Sequence, residues 1–252
     1  MEHPSYESLV RPKLSDGNNT VRILDLGCCF GTDLRSFVAD GAKVDYVVGV
    51  DKFSEFIDLG LEFFGDKEKS MAKSYVHFQK KCTNKSLTIF FFFMLFVIVV
   101  GGDTRFIVCD ILDKKTLLEK ISKLNPKKQF DVVYIGSVLH FFTYEQSKQI
   151  METVFELLNP NGGIVFGRNA AFENRVEKDG PLTEGPSGRL VLRNEQKWAQ
   201  LLQECGYKEV VTTMLEGQKL RQRIGHRTEW KRRIDQGVGF LIFCAQRLSK
   251  ND

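Results

Sequence analysis

The feature that most constrains this chain is a repeated device. A short apolar run ends on a glycine or an aspartate, and a segment of helical spacing follows. Val21–Leu26 closes at Gly27 before Thr32–Asp40, and Tyr46–Val50 ends at Asp51 before Glu55–Phe64. Arg105–Cys109 ends at Asp110 before Lys114–Leu124, and Phe130–Gly136 precedes Thr143–Leu158. A turn at 159–163, NPNGG, then leads into Ile164–Gly167, and Glu195–Cys205 reads as a helix closed by Gly206. Apolar runs on both sides of helical crossovers belong to buried parallel strands, because parallel neighbours cannot be joined by a tight turn. The last two strand-like runs, Tyr207–Met214 and Gly239–Gln246, have no helix between them and suit an antiparallel hairpin. The expected architecture is α/β: a Rossmann-like, doubly wound, seven-stranded sheet with a C-terminal antiparallel hairpin. It is expected to form a single domain over residues 1–252, with a short N-terminal segment at 1–20.

Composition narrows the function classes only at the margins. The 252 residues are 42% hydrophobic and 27% charged with a net charge of +4, ordinary for a globular domain and mild for a dedicated nucleic-acid binder. The cysteines at 28, 29, 82, 109, 205 and 244 form no CxxC pair and have no histidine at ligand spacing. That pattern predicts a reducing compartment, no disulfide framework and no metal site. The opening MEHPSYESL lacks the charged and apolar regions of a signal peptide, so a cytoplasmic location is expected.

The first strand-to-helix junction, ILDLGCCFGTD at Ile23–Asp33, is where chemistry enters. A glycine turn that opens a helix offers free backbone N–H groups and a partial positive charge, suited to a phosphate or a carboxylate. A dinucleotide site reads GxGxxG, whereas this turn is Gly27-Cys28-Cys29-Phe30-Gly31, with Cys29 where the pyrophosphate would need glycine. NAD is therefore disfavoured. Asp51, closing the second strand, stands where a carboxylate accepts hydrogen bonds from both ribose hydroxyls. Asp110, closing the third, stands where an adenine edge can be met. Together with Asp25 these suit adenosine carrying an amino-acid tail, S-adenosylmethionine. Each carboxylate also has a plain structural use, Asp25 in capping the turn and Asp51 and Asp110 in capping the helices that follow. Cys28 and Cys29 read as packing residues.

In order along the chain, ILDLGCCFGTDLRSF, VVGVD, FIVCDILD, FDVVYIGSVLHFF and LLNPNGGIVFGRN resemble the successive motifs of class I S-adenosylmethionine-dependent methyltransferases. The resemblance covers roughly Pro4–Leu248. LDLGCCFGTDLR, VLHFF and GRN are similar to fungal natural-product methyltransferases of the meroterpenoid type. The resemblance implies that Asp25, Gly27 and Gly31 frame the methionine end and that Asp33 meets the cofactor amino group. It further implies Asp51 on the ribose, Lys52 or Phe53 on an adenine face, Asp110 with Ile111 on the adenine edge, and Gly136 and Ser137 where cofactor meets acceptor. The implied reaction is methylation of a small-molecule secondary metabolite at a carboxyl or hydroxyl oxygen.

Methyl transfer needs an in-line acceptor, and a base only when that acceptor is protonated. His140, in SVLHFF, is the one sequence-supported base; it serves equally as a pocket wall beside Phe141 and Phe142. The basic run KLRQRIGHRTEWKRR at 219–233 suits a solvated connection, an anion clamp, or the phosphate-tracking patch of an RNA methyltransferase. No stable nucleic-acid partner is expected, and a non-catalytic cofactor-binding remnant is the other rival.

Two departures from the family stand out. SLTIFFFFMLFVIVV at 86–100 interrupts the chain before the third strand and falls short of the roughly 18 residues of a spanning helix. No membrane partner is expected. Residues 70–102 form an atypical hydrophobic insertion that reads best as a translated intron; a membrane-dipping hairpin or an edge strand is the alternative. The second departure is the short N-terminal segment, where relatives carry further residues that help cover the pocket.

Overall fold

The structure, a computed structural model, describes residues 3–15, 20–65, 105–125, 127, 129–172, 183–185, 188–215 and 238–248. The insertion at 70–102 and the basic run at 219–233 lie outside the described residues. Seven strands lie in the order β3-β2-β1 before residue 130 and β4-β5-β9-β8 after it. Their ranges are β1 Ile23–Leu26, β2 Val47–Asp51, β3 Arg105–Val108, β4 Val132–Gly136, β5 Gly163–Phe172, β8 Lys208–Met214 and β9 Val238–Arg247. A separate two-stranded ribbon pairs β6 Thr183–Gly185 with β7 Gly188–Leu190. The helices are α1 Arg11–Leu14, α2 Thr32–Ala39, α3 Ser54–Phe64, α4 Lys114–Leu124, α5 Tyr144–Leu157 and α6 Glu195–Glu204. By chain contacts the molecule divides into two compact units, residues 1–130 and 131–252.

In the first unit β1, β2 and β3 are parallel, with Asp25 opposite Gly49 and Asp51 opposite Val108. Every residue of β1 and β2 is buried, as expected of parallel strands covered on both faces. Gly49 is small for a reason: a Cβ there would stand 2.5 Å from Leu34 Cδ1 and 2.9 Å from Cys28 Sγ. The N-terminal segment is helical. A π-helical turn, Tyr6–Val10, runs into α1, and Tyr6, Val10 and Leu14 are buried. Tyr6 packs 5.6 Å from the Phe37 ring and its hydroxyl donates to Asp40, which Arg11 also meets at 3.3 Å. Helix α4 starts at Asp113, whose carboxylate accepts from the Thr116 N–H at 3.1 Å.

In the second unit β4 and β5 are parallel, β5 and β9 pair antiparallel over Gly163–Phe172, and β9 pairs antiparallel with β8. β8 alternates exposed and half-buried residues and carries a bulge between Lys208 and Val211, with Glu209 in the left-handed region. A bulged, half-polar strand end discourages pairing with another chain. Helix α5 begins with a reciprocal cap between Thr143 and Gln146. At its other end the Arg247 guanidinium donates to the carbonyls of Phe155 at 2.7 Å and Leu158 at 2.8 Å, satisfying groups that a helix end leaves open. Under β9, Trp198 stacks on Phe243 with ring centroids 5.5 Å apart.

One contact couples the first unit's packing to its glycine turn. Gly60 of α3 lies against the Phe30 backbone so closely that a Cβ would fall 2.3 Å from the Phe30 carbonyl oxygen. Alanine ordinarily stabilises a helix by about 1 kcal/mol over glycine. Here the clash should win, so Gly60→Ala is expected to lower stability by about 1–3 kcal/mol in urea unfolding. A neutral or stabilised variant would contradict this packing.

Candidate cofactor site and a buried histidine cluster

The turn after β1 is held by backbone bonds. Gly27 and Cys28 both donate to the Val50 carbonyl, at 2.8 and 3.0 Å, and Gly31 donates to Cys28 at 2.7 Å. Gly27, Cys29 and Gly31 all have positive φ, 77°, 49° and 71°. Two of the three are glycine, which reaches this region without strain. Gly31 could not be larger for a second reason, since a Cβ would meet Arg35 Nη1 at 2.7 Å. Arg35 is buried, donates to the carbonyls of Phe30 and Gly31 at 2.8 Å each, and stands 4.2 Å over the Phe64 ring.

Asp51, at the end of β2, reaches across to this turn. One carboxylate oxygen accepts from the Cys29 N–H at 2.8 Å and the other from the Phe53 N–H at 3.0 Å. It thereby ties the glycine turn to the start of α3. Each oxygen still has a lone pair for a further donor.

Asp25 has the opposite surroundings. It is 2% exposed, and among the described residues its Oδ2 has no hydrogen-bond partner. Burial, then the charges of Asp33 and Asp51, push its carboxyl well above the usual carboxylate range. Cys28 and Cys29 are pushed up as well, chiefly by burial, so neither is an activated thiol.

Asp110 accepts from Lys52 at 2.8 Å and from the Leu112 N–H at 3.0 Å, and the Lys52 bond is the main reason its carboxyl lies below the usual range. Lys52 is thus engaged by Asp110, and Phe53, 52% exposed, is the open flat face beside Asp51. Phe56 contacts both Phe53, at 5.4 Å, and Phe30, at 5.7 Å, in edge-on geometry. Phe30 and Phe56 were not among the sequence-predicted site residues. The spacing of Phe56 three residues beyond Phe53 on a helix was the available signal. Ile111 is buried directly after Asp110.

Asp25, Gly27, Gly31, Asp33, Asp51, Lys52, Phe53, Asp110 and Ile111 all fall in the first unit; Gly136, Ser137 and His140 fall in the second. Ser137 follows β4 with φ 60° and donates its N–H to the Arg168 carbonyl at 2.7 Å. Gly136 leaves room for the Tyr134 hydroxyl, which would stand 2.5 Å from a Cβ there.

His140 is buried, with its ring 4.3 Å from that of Phe141. Its Nδ1 lies 3.4 Å from Asn169 Oδ1 and 3.5 Å from the Ala170 N–H, an acceptor and a donor, so either neutral tautomer finds a partner. Burial depresses its pKa to about 4, with the Arg193 charge adding to the effect against the contrary pull of the Asn169 bond. Two residues that were not among the sequence-predicted site residues, Asn169 of the GRN motif and Arg193, fix this turn. Asn169 Oδ1 accepts from the Leu139 N–H at 2.9 Å, and the buried Arg193 donates to the Phe142 carbonyl at 2.7 Å. Arg193 comes from a segment more than fifty residues away in sequence, where nothing local announces the contact.

Among the described residues no helix is long and apolar enough to cross a membrane. No group of three or more His, Cys, Asp or Glu that could hold a metal ion occurs among them either.

A parallel sheet whose first strand ends in a glycine turn, with an acidic residue at the end of the second strand and an antiparallel C-terminal pair, is the Rossmann-like arrangement expected from the sequence. The comparisons with known proteins agree. The chain superposes with a TM-score of 0.55 on phosphoethanolamine N-methyltransferase 2 of Haemonchus contortus, at 15% identity, over 89% of this chain and 48% of that one. It also matches the [4+2]-cyclase SpnF with a TM-score of 0.58, at 12% identity, over 91% of this chain and 76% of that one. In sequence it is similar to the O-methyltransferase atr3 of Stereocaulon alpinum, 31% identical over 246 residues, 95% of this chain and 58% of that protein. The chain spans between half and three fifths of the length of the first curated relatives it matches. No family model matches it.

Two outcomes test the geometry. Asp51→Ala removes the acceptor of two backbone N–H groups and is expected to cost about 2–3 kcal/mol in chemical unfolding. An unchanged midpoint would refute the tie. His140 binds a proton near pH 6.5 when unfolded but only near 4 when folded. Stability should therefore fall by about 2–3 kcal/mol as pH drops through that window. His140→Gln should flatten that part of the profile, and an unaltered profile would assign the acid loss elsewhere.

Proposed function

We propose that this protein is an S-adenosylmethionine-dependent O-methyltransferase acting on a small-molecule secondary metabolite, with a carboxylate as the acceptor. The observation that carries the cofactor reading is the pairing of a preformed glycine turn, tied to Asp51, with a buried Asp25 oxygen that has no partner among the described residues. A buried polar atom of this kind marks a place for a ligand donor. The turn and Asp25 suit the amino-acid end, Asp51 the ribose hydroxyls, and Phe53 with Asp110 and Ile111 the adenine. When bound, S-adenosylmethionine supplies an electrophilic methyl group on a sulfonium sulfur. The similarity to a fungal O-methyltransferase supports oxygen as the atom methylated.

Our reading of the acceptor class is supported by His140. With a pKa near 4 it is neutral at pH 7 but a poor match for drawing a proton from a phenol or alcohol. A carboxylic acid is already ionised at that pH and needs only to be positioned. On this reading His140 takes no proton. Cytoplasmic location belongs to the same proposal.

The test is transfer of labelled methyl from S-adenosylmethionine to a panel of aromatic acids and matched phenols. The expected product is a methyl ester, recognised because mild alkali releases its label as methanol, with a rate nearly flat from pH 6 to 8 and preserved to within about threefold in His140→Asn. An alkali-stable ether, or a rate that collapses in His140→Asn while cofactor binding persists, would overturn the carboxylate reading. No labelled product with any acceptor, despite bound cofactor, would overturn the enzyme reading itself.

A further inference from the structure

The fold and the histidine cluster account for only part of the Gly167-Arg168-Asn169 motif on β5. Gly167 is small because a Cβ there would stand 2.0 Å from the Ile135 carbonyl oxygen, and Asn169 holds the turn at Leu139. Arg168 has no such use. Nine of the ten residues of β5 are buried, and Arg168 is the exposed one. Its partners in register are Gly136 on β4 and Ile242 on β9, and the residues two positions away along β5 are Phe166 and Ala170. None of these four carries a charge. Among the described residues no carboxylate forms an ion pair with Arg168. An inner strand covered on both faces reads as an apolar run, so a guanidinium within it calls for a partner from outside the strand.

The surroundings suit a ligand. Gly136 ends β4, so Arg168 stands at the carboxyl end of a parallel strand, where α/β sheets bind small molecules. Gly136 has no side chain to cover the guanidinium, and the Tyr134 hydroxyl, 2.5 Å from where a Cβ would be, keeps it a glycine. The next residue, Ser137, is held at φ 60° and donates its N–H to the Arg168 carbonyl at 2.7 Å. A non-glycine residue in the left-handed region is costly and persists where its surroundings enforce it. The Arg168 backbone is thus fixed by β9 on one side and by Ser137 on the other, a rigid base for an exposed cation.

We propose that Arg168 determines acceptor specificity: its guanidinium pairs with the carboxylate that is methylated. This deepens the proposed function, on whose carboxylate acceptor it rests. One carboxylate oxygen accepts from the guanidinium, and the other keeps a lone pair for the methyl carbon. The new oxygen–carbon bond forms as the sulfur–methyl bond breaks, and the breaking pair stays on sulfur. The carboxylate's negative charge and the sulfonium's positive charge disappear together, and no proton moves. The product ester has no charge for Arg168 to hold, so the same residue favours the acid over its ester. A guanidinium stays charged at any working pH, which agrees with a rate that is level across about pH 6 to 8.

The deciding experiment compares the full chain with Arg168→Gln and Arg168→Lys on the panel of aromatic acids. Arg168→Gln should raise KM for the acid about ten- to a hundredfold, with kcat kept within about threefold and the calorimetric affinity for S-adenosylhomocysteine unchanged. Arg168→Lys keeps the charge but not the planar fork and should fall between the two. The parent KM should climb as salt is added, while that of Arg168→Gln stays level. A direct reading is NMR titration of benzoate into arginine-labelled protein. The Arg168 Nε–H signal, identified by its loss in Arg168→Gln, should shift with benzoate and not with the neutral benzamide. An unchanged KM in an ester-forming Arg168→Gln would overturn the clamp and leave the methyltransferase reading intact. So would a loss carried by kcat or by weaker S-adenosylhomocysteine binding, or an Arg168 signal that benzoate does not move. An ether as the parent's only product would overturn the carboxylate acceptor and the clamp together. No labelled product at all would overturn the enzyme reading and the clamp with it.

Discussion

The carboxylate of Asp51 is the interaction on which the rest of the candidate site depends. It sits at the end of a fully buried strand, and its two oxygens accept N–H groups from different places, Cys29 in the glycine turn and Phe53 at the start of α3. The turn is therefore not positioned by β1 alone. The backbone of Val50, one residue earlier, holds Gly27 and Cys28 from the same strand. Gly60 lets α3 close onto Phe30 from the other direction. Strand, turn and helix are locked together at the candidate site, so that a ligand bound there would need little rearrangement of them.

Around that fixed point the first unit gathers negative charge and flat apolar surface. Asp51 accepts one backbone N–H on each oxygen, Asp110 accepts from Lys52, and Asp25 has an oxygen with no donor among the described residues. Phe30, Phe53 and Phe56 leave exposed aromatic faces beside them, at 43%, 52% and 39% exposure. A protein that only needed to be stable would have little use for a buried unpaired carboxyl or for three exposed phenylalanines. Both features make sense for a ligand that is cationic at one end and aromatic at the other. The second unit is built differently. Its polar cluster at Leu139–Phe142 is held by Asn169 and Arg193, and burial keeps its histidine neutral. The likeness to a cyclase as well as to a methyltransferase shows that this fold hosts more than one chemistry, so the reaction has to be argued from such side chains.

Much of the fold was legible in the sequence because its signals are local. The helix expected at Lys114–Leu124 has those bounds in the structure, and the strand ends at Asp51 and Gly136 fall where the acid and the glycine stand. β5 was foreseen only as Ile164–Gly167. It runs on to Phe172 because β9 pairs with it along its whole length, and a partner seventy residues away leaves no local mark. The ribbon of β6 and β7 and the helical turn at Tyr6–Val10 were missed for a different reason: neither has the length or the periodicity that betrays an element. At the site, the acids and glycines could be named because their types and spacing carry the information. The missing partner of Asp25, the Asp51 bond to Cys29 and the Arg193 clamp are facts of three-dimensional neighbourhood, and no residue spacing encodes them.

A crystal structure of the protein grown with S-adenosylhomocysteine would test the central claim most directly. The account requires the ribose hydroxyls on the Asp51 carboxylate, the amino-acid end within hydrogen-bond reach of the Gly27–Asp33 turn and Asp25, and the adenine against Phe53 and Asp110. A ligand seated elsewhere, or the Asp51 carboxylate bonded only to Cys29 and Phe53 with the nucleoside out of reach, would contradict it.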